Sequence, residues 1–192
     1  MAAKLLLEAY TVQPPTAKCL RILPKRVINV GELNNSRSIR LRRSQAIGRQ
    51  VIYTTLSHRV DRNLRLYIVL ISAANRTGLF GANWWSAHCW DGANAPKLAN
   101  STLDSMHQGI SFEDLPLTFR DAIETTRWLG FQYLWIDALC IVQDSDEEWR
   151  EESGKMGDGF SNSDLTIGAL SSHDSYGGVS GAVIRFVSGL AK

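Results

Sequence analysis

The chain has 192 residues, 44% hydrophobic and 21% charged, with 21 basic against 19 acidic side chains and a net charge of +2. Those figures fit one globular domain or slightly more, and they exclude a collagenous, a globally disordered and a disulfide-framework chain. Three widely spaced cysteines (Cys19, Cys89, Cys140) with no CxxC pair suit a reducing compartment and argue against a structural zinc site.

Residues 1–23 carry no pattern beyond a turn at Pro14-Pro15 and stand as an unassigned N-terminal segment. The opening MAAKLLLEAY lacks the long apolar stretch and cleavage site of a secretory signal, so the cytoplasm is the expected compartment. Residues 24–50 read as short strands and turns, with VINVG ending at Gly31 and a polar turn at Asn34-Asn35-Ser36. Basic residues are dense here, among them Arg26, Arg40, Arg42 and Arg43. They alternate with apolar residues, as in SIRLRR, which reads as a solvated strand face. With no neighbouring aromatics, no nucleic-acid partner is expected. Gln50 to Ser57 (QVIYTTLS) is rich in β-branched and aromatic residues and reads as a strand. The most apolar stretch, Leu64 to Ala74, is interrupted by Arg65 and is too short to span a bilayer, so no membrane association is expected.

From residue 89 the pattern becomes regular. Leu115 to Gly130 predicts a helix. Pro116 suits its first turn, Thr118 and Asp121 have capping-box spacing, and Phe119, Ala122, Ile123 and Thr126 fall on one face. Phe131 to Val142, nearly continuously apolar except for Asp137, predicts a strand buried on both faces. A second helix is expected from Ser145, with Glu148 three residues on. Trp149, Ser153, Met156 and Phe160 lie along one face, and Gly154, Gly157 and Gly159 weaken the second half. Asp164 to Leu170 (DLTIGAL) predicts a short buried strand. The alternation implies an α/β fold with a mostly parallel sheet flanked by helices.

The blocks YTTLSH at 53–58, LPLTFRDAI with YLWIDALCIVQD within 115–144, and the stretch running to DLTIGAL at 170 resemble the HET (heterokaryon incompatibility) domain of filamentous fungi. The lead-in LPKRVINVG, ending at Gly31, is also similar to sequence preceding such domains. The resemblance covers most of 24–178. It implies a signalling domain rather than a metabolic enzyme, with a part in non-self recognition and programmed cell death, and with protein partners that include self-association or other incompatibility proteins. The family has been likened to the TIR fold. That likeness supplies an alternative, an NAD glycohydrolase with a catalytic carboxylate, the only reading under which a cofactor-like molecule enters. A third reading is an inactive remnant from a damaged gene model.

Two departures from the family pattern stand out. The family's first block runs on as LSHCWG or close to it, whereas here LSH stops at His58 and Cys89-Trp90-Asp91-Gly92 resumes it. Residues 59–88 therefore read as a non-homologous insert, from a retained intron or a mis-joined gene model. Second, Gly159-Phe160 stands where the family favours a large aliphatic residue and tyrosine. Residues 179–192 form an atypical tail, and the chain reads as a fragment or a shortened member.

Asp137 is the most informative candidate. A carboxylate inside YLWIDALCI needs hydrogen bonds or a cation, and in open parallel sheets functional groups gather beyond the carboxyl ends of strands. It either binds a ligand or orients a base there, or it caps a loop or pairs with Arg120. His58, Cys140 and Asp144 are expected near the same end, His58 because the resemblance places it at the end of the first strand. Ser57 and His58 are adjacent on one strand and point to opposite faces, which disfavours a dyad. Cys140 sits among apolar neighbours, where a small buried thiol is the ordinary outcome. Under the glycohydrolase alternative the candidate carboxylates are Glu124, Asp137 and Glu148, although Glu124 faces away from Phe119 and Ile123. Trp90, Trp135 and Trp149 read as core or interface anchors. The acidic run Asp144, Asp146, Glu147, Glu148 reads as a solvated helix start, and no metal is expected. Sequencing the transcript tests the insert: a spliced message joining His58 to Cys89 is the expected outcome, and continuous coding through 59–88 overturns it.

Overall fold

The structure, a computed structural model, describes residues 23–31, 39–48, 51–58, 96–169 and 183–186. The readings on the N-terminal segment before residue 23, on the insert at 59–88 and on Cys19, Cys89 and Trp90 lie outside the described residues. In chain order the elements are β1 (Arg26–Asn29), β2 (Arg40–Arg43), α1 (Ser44–Ile47), β3 (Tyr53–His58), α2 (Leu103–Gln108) and α3 (Leu117–Trp128). They continue with β4 (Tyr133–Trp135), α4 (Asp137–Cys140), α5 (Asp146–Gly154), α6 (Met156–Ser161), β5 (Leu165–Ala169) and β6 (Val183–Phe186).

The strands make a six-stranded sheet in the order β2-β1-β4-β3-β5-β6. Its centre is parallel: β3 pairs with β4 (Thr54 opposite Leu134) and with β5 (Leu56 opposite Ile167). Its flanks are antiparallel, β1 against both β2 and β4, and β6 against β5. The α/β class therefore holds, but the sheet is mixed rather than mostly parallel. Burial pattern reports which residues are covered and not which way a neighbouring strand runs, so the antiparallel flanks left no mark in the sequence. β6 belongs to the stretch that the sequence set apart as a tail.

Helices cover both faces. Successive residues of β3 point to opposite sides. On one side Thr54 Oγ1 meets Thr126 Oγ1 of α3 at 2.9 Å. On the other, Tyr53 donates its hydroxyl to the Gly159 carbonyl of α6 at 2.6 Å, and Thr55 Oγ1 lies 3.3 Å from Ser163 Oγ. Between the layers sits one core that includes Val27, Ile28, Leu41, Tyr53, Leu98, Phe119, Ile123, Leu134, Leu139 and Ile167. Trp135 belongs to it and packs edge-on to Phe160, with ring centroids 5.4 Å apart.

α3 forms where its periodicity predicts, and the apolar face of Phe119, Ala122, Ile123 and Thr126 is buried. Its start differs from the expected capping box. Pro116 occupies the N-cap with no side-chain cap, while Thr118 is fully buried with its Oγ1 unpartnered. Its end follows the Schellman pattern. Gly130 has φ +80°, its N–H donates to Arg127 O at 3.0 Å, and the Phe131 N–H reaches Thr126 O at 3.0 Å. A side chain at that φ is strained, which is why glycine ends this helix. Arg127 ties α3 to the residue that follows β1 by donating Nε–H to Val30 O at 2.6 Å, with Phe112 under its guanidinium at 5.8 Å.

Two further expectations are corrected. The apolar run 131–142 is not one strand: β4 spans three residues, and the chain turns at Ile136 into α4. The helix expected from Ser145 divides at Lys155 into α5 and α6. Along its predicted face Met156 is buried, but Trp149 is exposed and anchors no core. Gly159 is buried, yet a Cβ built on it meets nothing within 4 Å. Replacing it with alanine should raise unfolding free energy by about 1 kcal/mol through helix propensity, read as a higher urea midpoint at unchanged slope.

Candidate functional site

The connections around β3 create a topological switch point. After β3 the chain returns through α3 on one face to β4. After β4 it crosses by α4, α5 and α6, and α6 lies on the opposite face, before reaching β5 on the far side of β3. In open α/β sheets a crevice opens outside the carboxyl ends of strands whose connections part in this way. His58 ends β3, with its backbone opposite Ala169, and Asp137 begins two residues after β4. The backbone thus carries both to the same edge of the sheet; the side chain of His58 is not among those described.

Asp137 opens α4 rather than lying in a strand. It is half-buried, and its Oδ1 accepts the Ala138 N–H at 2.8 Å. Its backbone carbonyl accepts from Gln143 Nε2 at 3.3 Å. Arg120, the partner considered from sequence, has its NH1 3.7 Å from Glu113 Oε2. Cys140, at the other end of α4, is buried, and burial pushes its thiol up to about 12. A thiol so placed stays protonated near neutrality and is a poor nucleophile. Asp144 is exposed and holds a neighbouring loop: its carboxylate accepts the Asn100 N–H at 2.9 Å and Asn100 Nδ2 at 3.2 Å.

Glu148 has a structural occupation. Both of its oxygens accept from the guanidinium of Arg26, the NH2 contact being 3.0 Å, and Oε2 also accepts from Lys25 Nζ at 3.1 Å. The Val142 N–H points at Oε1 from 3.4 Å, and Arg26 NH1 donates in turn to Cys140 O at 3.2 Å. The Arg26 hydrogen bonds, foremost among these contacts, hold the Glu148 carboxyl down to about 2 against the opposing effect of burial. Ser145 Oγ accepts the Glu148 N–H at 3.3 Å, so half of a capping box forms while the glutamate side chain is drawn off to Arg26. Glu152, next along α5, is also buried and accepts the Lys25 N–H at 3.3 Å. The solvated readings of the basic and acidic runs thus fail at Arg26 and Glu148. They hold for Arg42, Arg43, Asp146 and Glu147, which are exposed. Glu124 is exposed on α3, as its helical position implied.

Arg26, Lys25 and Glu152 were not candidates from sequence, nor were Leu98 and Asn100. An arginine opening a strand and a glutamate three residues after an N-cap are ordinary surface features. No periodicity links positions 122 residues apart. Among the described residues no group of three or more His, Cys, Asp or Glu side chains is placed to hold a metal, and no helix is long and apolar enough to cross a membrane.

This geometry defines an α/β module with both sheet faces covered and a switch-point edge carrying Asp137. The family model described as "Heterokaryon incompatibility protein (HET)" matches residues 87–186, just over half of the chain, which takes in Cys89-Trp90-Asp91-Gly92, α3, α4 and β5. The chain belongs to the HET family. Comparisons with curated proteins and with solved structures gave no match.

The Arg26–Glu148 pair makes a direct prediction. Glu148→Gln leaves the buried guanidinium without its counter-charge and should cost about 3 kcal/mol of unfolding free energy. Because the folded carboxyl titrates below its ordinary value, the stability it gives is fully present above about pH 4.3 and is lost as pH falls toward 2. Urea titrations from pH 7 to pH 3 should therefore show the wild type losing stability faster than Glu148→Gln below about pH 4.3.

Proposed function

We propose that this chain is a non-self recognition domain that promotes programmed cell death when unlike hyphae fuse, acting in the cytoplasm through protein contacts. The observation that carries this reading is its membership of the HET family across α3, α4 and β5. The chemistry of the candidate groups supports contact-based signalling over catalysis. Glu148 is held by Arg26, the Cys140 thiol is pushed up to about 12, and Glu124 stands apart on an outer helix face. Asp137 is the candidate carboxylate that the fold carries to the switch-point edge, and we assign it the role of shaping the surface or ligand contact that triggers the signal.

Expression of the chain in a filamentous fungal host tests the reading. Wild-type protein should reduce viability, and Asp137→Asn, accumulated to the same level, should not. Equal loss of viability with both forms removes Asp137 from the signal, and no effect from either form replaces the reading with an inactive remnant. Incubating the purified protein with NAD should release no nicotinamide. Release that Asp137→Asn abolishes would replace signalling by contact with a TIR-like glycohydrolase.

A further inference from the structure

Residues 96–102 are bonded to α4 at Ala138 and to the chain just beyond it at Gln143. The Leu98 N–H donates to Ala138 O at 2.8 Å, and Leu98 O accepts the Gln143 N–H at 2.8 Å. Those two partners bracket Leu139, Cys140, Ile141 and Val142, all of which are buried. Leu98 is fully buried in the same core. Within the segment, Thr102 Oγ1 accepts the Ala99 N–H at 2.9 Å and the Thr102 N–H returns to Ala99 O at 3.0 Å, which fixes its shape. Beyond Leu98 the segment is fastened at the surface. The Asp144 carboxylate takes the Asn100 N–H through both oxygens, at 2.9 and 3.2 Å, and Asn100 Nδ2 at 3.2 Å.

We propose that residues 96–102 are a strap that closes the carboxyl end of β4, and that the Asp144–Asn100 clasp is its release point. The hydrogen bonds to the Asp144 carboxylate are the strap's fastenings in contact with water, where solvent can compete for them, while Leu98 is buried. When the clasp opens, the two backbone bonds of Leu98 are left to hold a single apolar plug, and the strap detaches as a local unit while β1 and α3 stay folded. Detachment uncovers α4, with Asp137 at its start and Cys140 at its end. The switch-point edge therefore has a closed state, the one described here, and an open one in which the apolar turn 138–142 faces solvent or a partner.

Two readouts on the full chain test this, amide exchange resolved at Leu98 and Gln143, and alkylation by iodoacetamide read on the peptide that carries Cys140. Asp144→Ala should speed both amides and the alkylation by about tenfold or more, the loss of roughly 1.4 kcal/mol of closing free energy, with the amides of β1 and α3 unchanged. Asp144→Asn, which keeps one acceptor oxygen, should open the strap less. Unchanged rates overturn the proposal, as does acceleration that spreads equally to β1 and α3, since that reports global unfolding. Faster exchange without faster Cys140 alkylation overturns it too, because the strap would then open without uncovering α4. Equal opening by Asp144→Ala and Asp144→Asn removes the clasp as the release point.

Discussion

The guanidinium of Arg26 is buried at the first residue of β1, and that charge has to be met inside the molecule. It is met by Glu148, from the first turn of α5, and by the carbonyl of Cys140 at the end of α4. One side chain thereby fixes the antiparallel flank of the sheet, the turn that follows β4 and the helix after it. Lys25 extends the same junction by donating from Nζ to Glu148 and from its backbone N–H to Glu152. An uncompensated guanidinium costs several kcal/mol, so β1, α4 and α5 are bound to adopt their positions together. A buried ion pair is weak evidence for net stability when compared with apolar packing of the same volume. Its consequence here is positional: it sets where the crossover from β4 leaves the sheet.

That placement has a functional corollary. The residues after β4 are committed on one side to Arg26, through Cys140 O, and on the other to the strap, through Ala138 O and the Gln143 N–H. Asp137 starts this doubly held turn. Its Oδ1 accepts the Ala138 N–H, one of the hydrogen bonds that a half-buried carboxylate needs at the end of an enclosed strand. The groups first considered for chemistry thus divide by environment. Glu148 and Cys140 are absorbed by the scaffold, Glu124 is left on the outer surface, Asp144 fastens a loop, and Asp137 remains at the edge where the connections diverge.

Much of the architecture was legible in the residues. The periodic face of α3, the glycine that ends it, the serine that caps α5 and the β-branched runs of β3 and β5 are local signals, and each appears where the sequence placed it. The misreadings have separate physical causes. The run from Phe131 to Val142 is mostly apolar because most of it is buried, and burial does not distinguish three residues of strand and a helical turn from one long strand. The Thr118–Asp121 spacing matched a capping box, but Pro116 takes the cap position. At Lys155 three glycines within six residues weaken a helix enough for it to divide, an effect the composition indicated in sign but not in place.

By itself the sequence determined the class of fold, the kinship to heterokaryon-incompatibility proteins, and the residue types gathered near the end of the fourth strand. It did so because helix periodicity, capping and family motifs are encoded within a few positions of one another. Only the tertiary structure decided that Arg26 and Glu148 are partners, that the sheet flanks run antiparallel, and that Asp144 clasps Asn100 rather than facing a ligand. Each of those depends on which distant segments share a desolvated space. There the cost of an unmet charge or hydrogen bond selects the partner, and that selection is made by packing rather than by neighbours in the chain.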